Sequence, residues 1–190
     1  MGTTGADLLP KSYFLYVGNV YPHKNIEVLL DAFHRLQTRG NVPVQLVFVG
    51  PEDYFYKKLK LIIISLEMQD TVKVLHRLRD EELQEAYARA IALVFPSRME
   101  GFGLPALEAL ASGCRVIASD IPVFHEILQN HATYANTTSA ESLATVLHQV
   151  YSAPFDKKSF QKSLVPFLSK YSWSTMSAHT LRVYSTGQTA

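Results

Sequence analysis

The chain is poor in residues and patterns that mark several common classes of protein. It has one cysteine, Cys114, among 190 residues, which excludes an intramolecular disulfide and is too few for a zinc site. Its 18 basic and 17 acidic residues leave a formal charge of +1, so nothing indicates nucleic acid as a partner. No apolar run approaches the roughly 20 residues of a membrane helix. The first residues lack the basic start and apolar centre of a secretory signal, so a cytoplasmic protein is expected.

Several ligand-binding motifs are also missing. The first apolar run is not followed by Gly-x-Gly-x-x-Gly, and no Gly-x-x-x-x-Gly-Lys-[Ser/Thr] occurs, which argues against a dinucleotide dehydrogenase and a P-loop enzyme. There is no Asp-x-Asp, and the histidines do not follow metal-ligand spacing, so a diphosphate site built on a divalent metal is not indicated. The remaining composition, 47% hydrophobic and 18% charged, is that of an ordinary globular domain.

The chain does contain a strict alternation of apolar runs and helical segments. Runs that are apolar throughout indicate parallel strands covered on both faces. Strands are predicted at 13–17, 44–49, 72–75, 91–95, 115–118 and 132–135. Helices are predicted at 26–39, 53–68, 104–112, 122–129, 139–152, 156–169 and 172–185, with another beginning at residue 80. Asn25 is expected to cap the first helix, and Trp173 and Tyr184 to anchor the last one by packing.

This alternation predicts a three-layer Rossmann-like α/β domain with a parallel sheet. We assign it to residues 13–190, including the C-terminal helices, and interpret residues 1–12 as a linker or an expression remnant. Ligands of such folds bind outside the carboxyl ends of the strands.

The most informative stretch is residues 95–113, where a strand leads through a glycine loop into a helix. The loop carries Glu100, Gly101 and Gly103, and the helix begins near Leu104. The free amides at a helix start and the helix dipole favour an anion. The loop therefore predicts an anion site.

A second acid, Glu108, lies about one turn inside this helix, and helical side chains lean toward the N-terminus. Glu100 and Glu108 can be ordinary surface acids, as most acids are. Alternatively, they bind hydroxyl groups on either side of a phosphate, as a nucleotide sugar would require. Glu108 lies in an otherwise apolar run, where an acid needs a partner, and this favours the second interpretation.

Two other loops at the same predicted edge carry positive charge. Lys24, in loop 18–25, precedes a helix start, where the dipole disfavours a cation. It is either simply solvated or offset by an anion such as a phosphate. Loop 76–80 contains Arg77 and Arg79, whose side chains are better explained as surface charges, so its backbone groups are the better candidates for contacting a base.

Together these segments resemble the C-terminal, donor-binding domain of GT-B glycosyltransferases, specifically the retaining family 4 enzymes. The resemblance covers about residues 13–185 and also includes the 18–25 loop with its lysine. It is carried most firmly by Pro96-Ser97-x-x-Glu100-Gly-Phe-Gly-Leu-Pro-x-Leu-Glu108-Ala-x-Ala-x-Gly113.

The resemblance implies a role for each matching position. Lys24 would neutralise the donor diphosphate, Glu100 would contact hydroxyls of the transferred sugar, and Glu108 would hold the ribose hydroxyls. Further donor contacts are implied for Gly18, Asn19, Gly101, Phe102, Gly103, Leu104, Arg77 and Leu78. No cofactor or metal would be required, because Lys24 and the helix dipole take the leaving-group charge. Transfer would retain the anomeric configuration.

Two positions depart from the family pattern. Asn19 stands where many members have an arginine, which removes one phosphate cation. His76 stands where a glycine is usual, which puts the shape of the base pocket in question.

The resemblance also implies a second domain. GT-B enzymes have two Rossmann-like domains, and this chain matches the second. The acceptor, a glycan or a lipid-linked glycan, would bind through the N-terminal domain, and the full-length protein can associate peripherally with a membrane. By itself the chain should bind a nucleotide sugar weakly and catalyse little. Alternatives are a non-catalytic nucleotide-sugar-binding partner subunit and a related GT-B enzyme such as a nucleotide-sugar epimerase.

The amino-acid sequence of the first loop suggests which nucleotide sugar is the donor. Val-Gly-Asn-x-x-Pro-His-Lys-Asn resembles mannosyltransferases and other hexosyltransferases of polysaccharide assembly. This favours GDP-mannose, or a UDP-hexose, as the donor.

Overall fold

A computed structural model describes residues 8–40 and 42–186 of the chain. Residues 1–7 of the predicted linker lie outside the described residues, whereas residues 8–12 lead into the first strand. Contacts between Cα atoms divide the chain into two units, with the boundary between Phe155 and Asp156. The two units are described separately below.

The described part of the first unit is built on a six-stranded parallel sheet in the order β3-β2-β1-β4-β5-β6. The strands are β1 (Tyr13–Val17), β2 (Gln45–Gly50), β3 (Val72–His76), β4 (Ala92–Phe95), β5 (Arg115–Ser119) and β6 (Thr133–Ala135). Every residue of β1 is buried, and Leu15 lies beside Val47 of β2 and Leu93 of β4. The continuous apolar runs are therefore central strands, and the predicted fold class is confirmed.

Among the described residues of this unit, six α-helices connect and cover these strands. They are α1 (Ile26–Gly40), α2 (Tyr54–Ser65), α3 (Asp80–Arg89), α4 (Leu104–Ala111), α5 (Pro122–Leu128) and α6 (Ala140–Ser152). The chain moves outward from β1 to β3, then returns to β4 and moves outward in the other direction. Because parallel crossovers are right-handed, this reversal places α1 and α2 on one face and α3, α4 and α5 on the other. The contact of α3 with α4 agrees with their placement on one face, and the contact of α6 with α1 adds α6 to the other face.

The reversal also locates the switch point of the sheet, where ligands bind in doubly wound folds. It lies between β1 and β4, which are direct neighbours. The loops at this point are 18–25, after β1, and 96–103, after β4.

The helix starts agree with the sequence in most places, with one correction. Asp53 caps α2, its side chain accepting a hydrogen bond from the backbone N–H of Tyr56 at 2.9 Å. Asn25 does not cap α1, although α1 begins directly after it. Its backbone is left-handed, at φ 60° and ψ 37°, and its side chain binds elsewhere. The prediction of a cap is wrong because local sequence does not reveal these distant partners.

The described part of the second unit contains α7 (Lys157–Leu168), a short 3-10 turn (Ser169–Tyr171) and α8 (Trp173–Thr186). Asp156 caps α7 by accepting hydrogen bonds from the backbone of Lys158 and Ser159. The expectation that Trp173 and Tyr184 anchor α8 by packing is wrong, because they are 80% and 82% exposed. Within this unit α8 packs on the short turn, which covers neither ring.

None of the helices in the described ranges is both long and apolar enough to cross a membrane.

Candidate functional site

An ion pair joins the two loops at the switch point. Lys24 ends a short 3-10 turn (Pro22–Lys24) just before α1, and Glu100 lies in the glycine loop after β4. The Lys24 Nζ atom lies 2.5 Å from Glu100 Oε1, and the two side chains are only 12% and 10% exposed. The ammonium also lies over the ring of Phe95, 5.5 Å from its centroid. The anion that offsets Lys24 in this structure is therefore Glu100, and the pair is largely shielded from water.

Buried tyrosines shape the loop that carries Lys24. The Tyr56 hydroxyl donates to the carbonyl of Gly18 at 2.8 Å, and the Tyr16 hydroxyl donates to the carbonyl of Asn19 at 2.5 Å. Burial raises the pKa of both tyrosines well above the usual value, so both stay protonated donors. Gly18 itself has φ 135°, which only glycine adopts readily. Buried tyrosines thus hold the backbone carbonyls of Gly18 and Asn19, two of the positions predicted to contact the donor.

This arrangement depends on a close approach of the chain at the end of β2. A Cβ atom at Gly50 would collide with the Tyr56 hydroxyl and with the carbonyl of Gly18. The carbonyl of Gly50 also lies 3.0 Å from His76 Nδ1, which places His76 beside the end of β2. His76, which departs from the family pattern, thus contacts Gly50 at the end of β2 and the ring of Tyr56.

The glycine loop enters α4 through a left-handed residue. Gly103 has φ 89° and ψ 44° and lies at the N-cap of α4, with a proline at the second helical position. An added Cβ at Gly103 would lie 2.9 Å from the ring of Phe124, whereas one at Gly101 would meet no atom within 4 Å. Phe102 and Leu104 are 40% and 60% exposed, so the loop presents apolar side chains outward. The amides of this loop lie at the start of α4, where the dipole favours an anion.

Alanine substitutions should distinguish the two glycines of this loop. Gly103→Ala is expected to lower the free energy of unfolding by roughly 1–2 kcal/mol, because the new Cβ would be crowded and the left-handed backbone strained. Gly101→Ala is the matched control, because its position is open. Urea unfolding of both variants measures the difference. Equal stabilities would show that the loop does not need a left-handed residue at 103.

Glu108 has a partner of its own on the neighbouring helix. The Tyr87 hydroxyl of α3 donates to Glu108 Oε2 at 2.9 Å. Tyr87 is 2% exposed, and burial, with the nearby Glu108 carboxylate, raises its pKa far above the usual value. The hydroxyl therefore stays protonated and orients the carboxylate, while Glu108 remains exposed to solvent. The expectation that Glu108 needs a partner is met by a neutral donor.

Tyr87→Phe should show what this orientation contributes. If Glu108 holds ribose as the resemblance implies, nucleotide affinity should fall about fivefold, the size of one ordinary hydrogen bond, with little change in stability because water can reach Glu108. The control is Tyr13→Phe, which removes a buried hydroxyl bonded to the carbonyl of Ala86 at the opposite end of β1. Calorimetric titration should show weaker binding for the first variant and not for the second. The reverse order would separate Glu108 from the ligand site.

In the loop after β3 the charged side chains are exposed and paired with acids, so the backbone groups remain the candidates for contacting a ligand. The Arg77 side chain is 85% exposed and lies 3.9 Å from Glu52, while the Arg79 guanidinium binds Glu82 at 3.2 Å. Arg77 has a left-handed backbone, with φ 56°. A cavity of about 460 Å³ lies against this loop, lined mainly by residues 74–79. Arg77 and Leu78, the two positions predicted to contact the base, are among its lining residues.

Some important residues of this site escaped the sequence analysis. Tyr16 lies in an apolar run and Tyr56 and Tyr87 lie in helical segments of the sequence, and the partners of their hydroxyl groups are not detectable from local pattern. Asn25 carried a visible signal, a position before a helix, but its contacts lie far away in the chain. In the described ranges, no group of three His, Cys, Asp or Glu side chains could hold a metal ion.

The parallel sheet, its switch point and the glycine loop leading into α4 define one Rossmann-like half of a GT-B glycosyltransferase fold. Sucrose-phosphate synthase from Thermosynechococcus elongatus matches this structure with a TM-score of 0.80 and 25% identity, over 93% of this chain and 46% of that one. The C-terminal domain of a glycosyl transferase group 1 family protein from Francisella tularensis matches with a TM-score of 0.63 and 25% identity, over 82% of each chain.

The sequence comparisons agree with the structural ones. The family model described as "Glycosyl transferases group 1" matches residues 8–163, so the chain belongs to this glycosyltransferase family. The O-antigen chain mannosyltransferase RfbU of Salmonella typhimurium is 39% identical over 144 residues, which are 76% of this chain and 40% of that protein. The matched part of the chain thus spans less than half the length of RfbU and of the sucrose-phosphate synthase.

Proposed function

We propose that this chain is the nucleotide-sugar-binding domain of a retaining hexosyltransferase, with GDP-mannose as the first candidate donor and a UDP-hexose as the second. The observation that carries the proposal is the Lys24–Glu100 ion pair at the switch point of the sheet. It places a shielded cation and a shielded carboxylate where a doubly wound fold binds its ligand. The mannosyltransferase relative supports the choice of sugar.

In this proposal the donor exchanges the partners of the ion pair. The diphosphate takes the Lys24 ammonium, and the freed Glu100 carboxylate accepts hydrogen bonds from hydroxyls of the sugar. Glu108, oriented by Tyr87, accepts hydrogen bonds from the ribose hydroxyls. The backbone of residues 76–79 contacts the base, and the amides of the loop at 101–104 lie near the sugar and the phosphate.

The proposed reaction is the transfer of the sugar to the acceptor, during which negative charge develops on the leaving group. The bond between the anomeric carbon and the diphosphate oxygen breaks, and a bond from the acceptor oxygen forms on the same face of the sugar. The acceptor proton passes to the leaving phosphate. Lys24 and the start of α4 stabilise the negative charge of the leaving group, a type of electrostatic stabilisation that commonly contributes most to catalysis. No metal or other cofactor is required in this scheme.

The acceptor belongs to the rest of the proposed enzyme. RfbU and the sucrose-phosphate synthase are about twice as long as this chain, so we assign the acceptor, a glycan or lipid-linked glycan, to an N-terminal domain of the whole protein. Residues 1–12 would be the linker to that domain. Peripheral membrane association would be a property of the whole protein, and the isolated chain should bind the donor and catalyse little.

Titration of the chain with nucleotides tests the proposal. GDP-mannose, UDP-glucose and GDP are added separately in buffer containing EDTA, with mannose alone as the control. Ligand at 100 times its Kd should stabilise the fold by about 2.7 kcal/mol and raise the Tm accordingly. Mannose alone should have no effect. If no nucleotide shifts the Tm of a chain that is folded by circular dichroism, the donor-site proposal is wrong.

A further inference from the structure

The loop residue that follows Lys24 is buried in an unusual backbone conformation. Asn25 has φ 60° and ψ 37° and is 3% exposed, and its backbone N–H donates to the carbonyl of Pro22 at 3.2 Å. Residues other than glycine rarely adopt this region, and asparagine is among the few that do. The chain therefore turns at Asn25 so that the 3-10 turn bearing Lys24 passes directly into α1.

The side chain of Asn25 joins this turn to two other loops. Its Nδ2 group donates to the carbonyl of Pro96 at 3.2 Å and to the carbonyl of Thr137 at 2.7 Å. Its Oδ1 atom accepts a hydrogen bond from the Arg98 guanidinium at 3.1 Å. Both N–H groups and the oxygen of the amide are thus engaged. Pro96 and Arg98 belong to the loop that carries Glu100.

Further bonds extend this connection across the sheet edge. The Thr137 hydroxyl donates to the Ser119 hydroxyl at 2.9 Å, at the end of β5. The backbone N–H of Arg98 donates to the carbonyl of His23 at 2.8 Å, next to Lys24. The loops after β1 and β4 are therefore tied together by one backbone bond and by the Asn25 amide.

We propose that Asn25 is a positioning residue for the donor site, whose buried amide fixes the loops after β1 and β4 so that Lys24 and Glu100 meet. Lysine and glutamate side chains have many rotamers, and holding them together costs conformational entropy. An anchored backbone on each side lowers that cost, because the two charged groups begin at a set separation. Asn25 adjoins Lys24 directly, and Arg98 precedes Glu100 by two residues.

Substitutions that remove or change the Asn25 amide distinguish this positioning role from simple burial. Glycine at this position keeps the left-handed backbone but removes all three side-chain bonds. Aspartate keeps the size but places a carboxylate oxygen against the carbonyl oxygens of Pro96 and Thr137. Asn25→Gly should therefore loosen the loops while leaving the fold intact. Asn25→Asp should disturb the loops and also the fold.

The first test measures the coupling between Lys24 and Glu100 without any ligand. Urea unfolding of Lys24→Ala, Glu100→Ala and the double variant gives the coupling in the parent chain and again in the Asn25→Gly background. We expect the coupling to stabilise the fold and lower the unfolding equilibrium constant about 30-fold in the parent, and less than about 5-fold in the background. A merely structural role would lower the stability of every variant but leave the coupling unchanged. Unchanged coupling would overturn the proposal.

The second test measures ligand binding and rests on the proposed function. Asn25→Gly should weaken GDP-mannose binding by about tenfold at a temperature well below its Tm, and Asn25→Asp should weaken it further. Asn130→Gly, at an exposed asparagine of the short turn after α5, is the matched control and should bind as the parent does. Full affinity in Asn25→Gly would refute the positioning role. If the parent itself binds no nucleotide, the proposed function fails, and the coupling measurement still decides the role of Asn25.

Discussion

Replacing Lys24 with alanine is expected to weaken binding of GDP and GDP-mannose by about 100-fold, which corresponds to the upper part of the 1.5–3 kcal/mol range for hydrogen bonds to charged groups. The reason is that Lys24 is the shielded cation at the switch point, 12% exposed beside β1 and β4. A diphosphate deprived of it would meet the Glu100 carboxylate without a neutralising partner. Isothermal titration calorimetry measures the effect directly.

The control for Lys24 is Lys57→Ala, which removes an exposed lysine of α2 and should leave the affinity unchanged. Stability must be followed as well, because Lys24→Ala leaves the largely buried Glu100 carboxylate without its partner. Measurements below the Tm of each variant separate this effect from binding. Equal affinities for Lys24→Ala and Lys57→Ala would remove Lys24 from the donor site.

Glu100→Gln should change the preference for GDP-mannose over GDP rather than weaken the binding of both ligands. In this structure Glu100 binds the Lys24 ammonium at 2.5 Å, so under the proposed function its carboxylate would compete with the donor phosphate for that cation. Without that charge, GDP should bind as tightly as in the parent or more tightly. The contribution of the sugar should fall, because a carboxylate accepts hydrogen bonds from hydroxyls more strongly than an amide does. We expect the preference for GDP-mannose over GDP to fall by about 50-fold, a loss within the range for charged hydrogen bonds.

The ratio of the two dissociation constants is the quantity to measure for Glu100→Gln. Glu126→Gln, which makes the same change at an exposed position of α5, should leave the ratio as it is in the parent. A drop in affinity for GDP that equals the drop for GDP-mannose would assign Glu100 to the phosphate region or to the fold alone. It would therefore contradict the proposed exchange of partners.

The sequence predicted the elements of the first unit because their signals are local. The residues of β1 form one apolar run, and the strand is buried on both sides. The start of α2 at Asp53 and the start of α4 after Gly103 follow from capping and turn preferences that involve neighbouring residues. Such preferences act over a few positions, so they can be detected without knowledge of the fold.

The expectations that were wrong concern side chains whose environment depends on distant parts of the chain. Asn25 has the residue type of a helix cap, but one of its partners, the carbonyl of Thr137, lies 112 residues away. Trp173 and Tyr184 have helical spacing, but spacing does not say whether anything covers them, and both are exposed. Propensity is a weak guide wherever tertiary contacts decide the environment of a side chain.

The 95–113 stretch by itself predicted an anion site with two acids and a resemblance to glycosyltransferases, because the loop glycines, the helix start and the acid spacing are all local. The family match confirms the resemblance. The tertiary structure alone decided that Glu100 pairs with Lys24, 76 residues away, and that Glu108 is oriented by Tyr87. It likewise decided that the Asn25 amide ties the two loops together. The physical reason is that strand order brings the loops after β1 and β4 side by side, and no local pattern encodes that order.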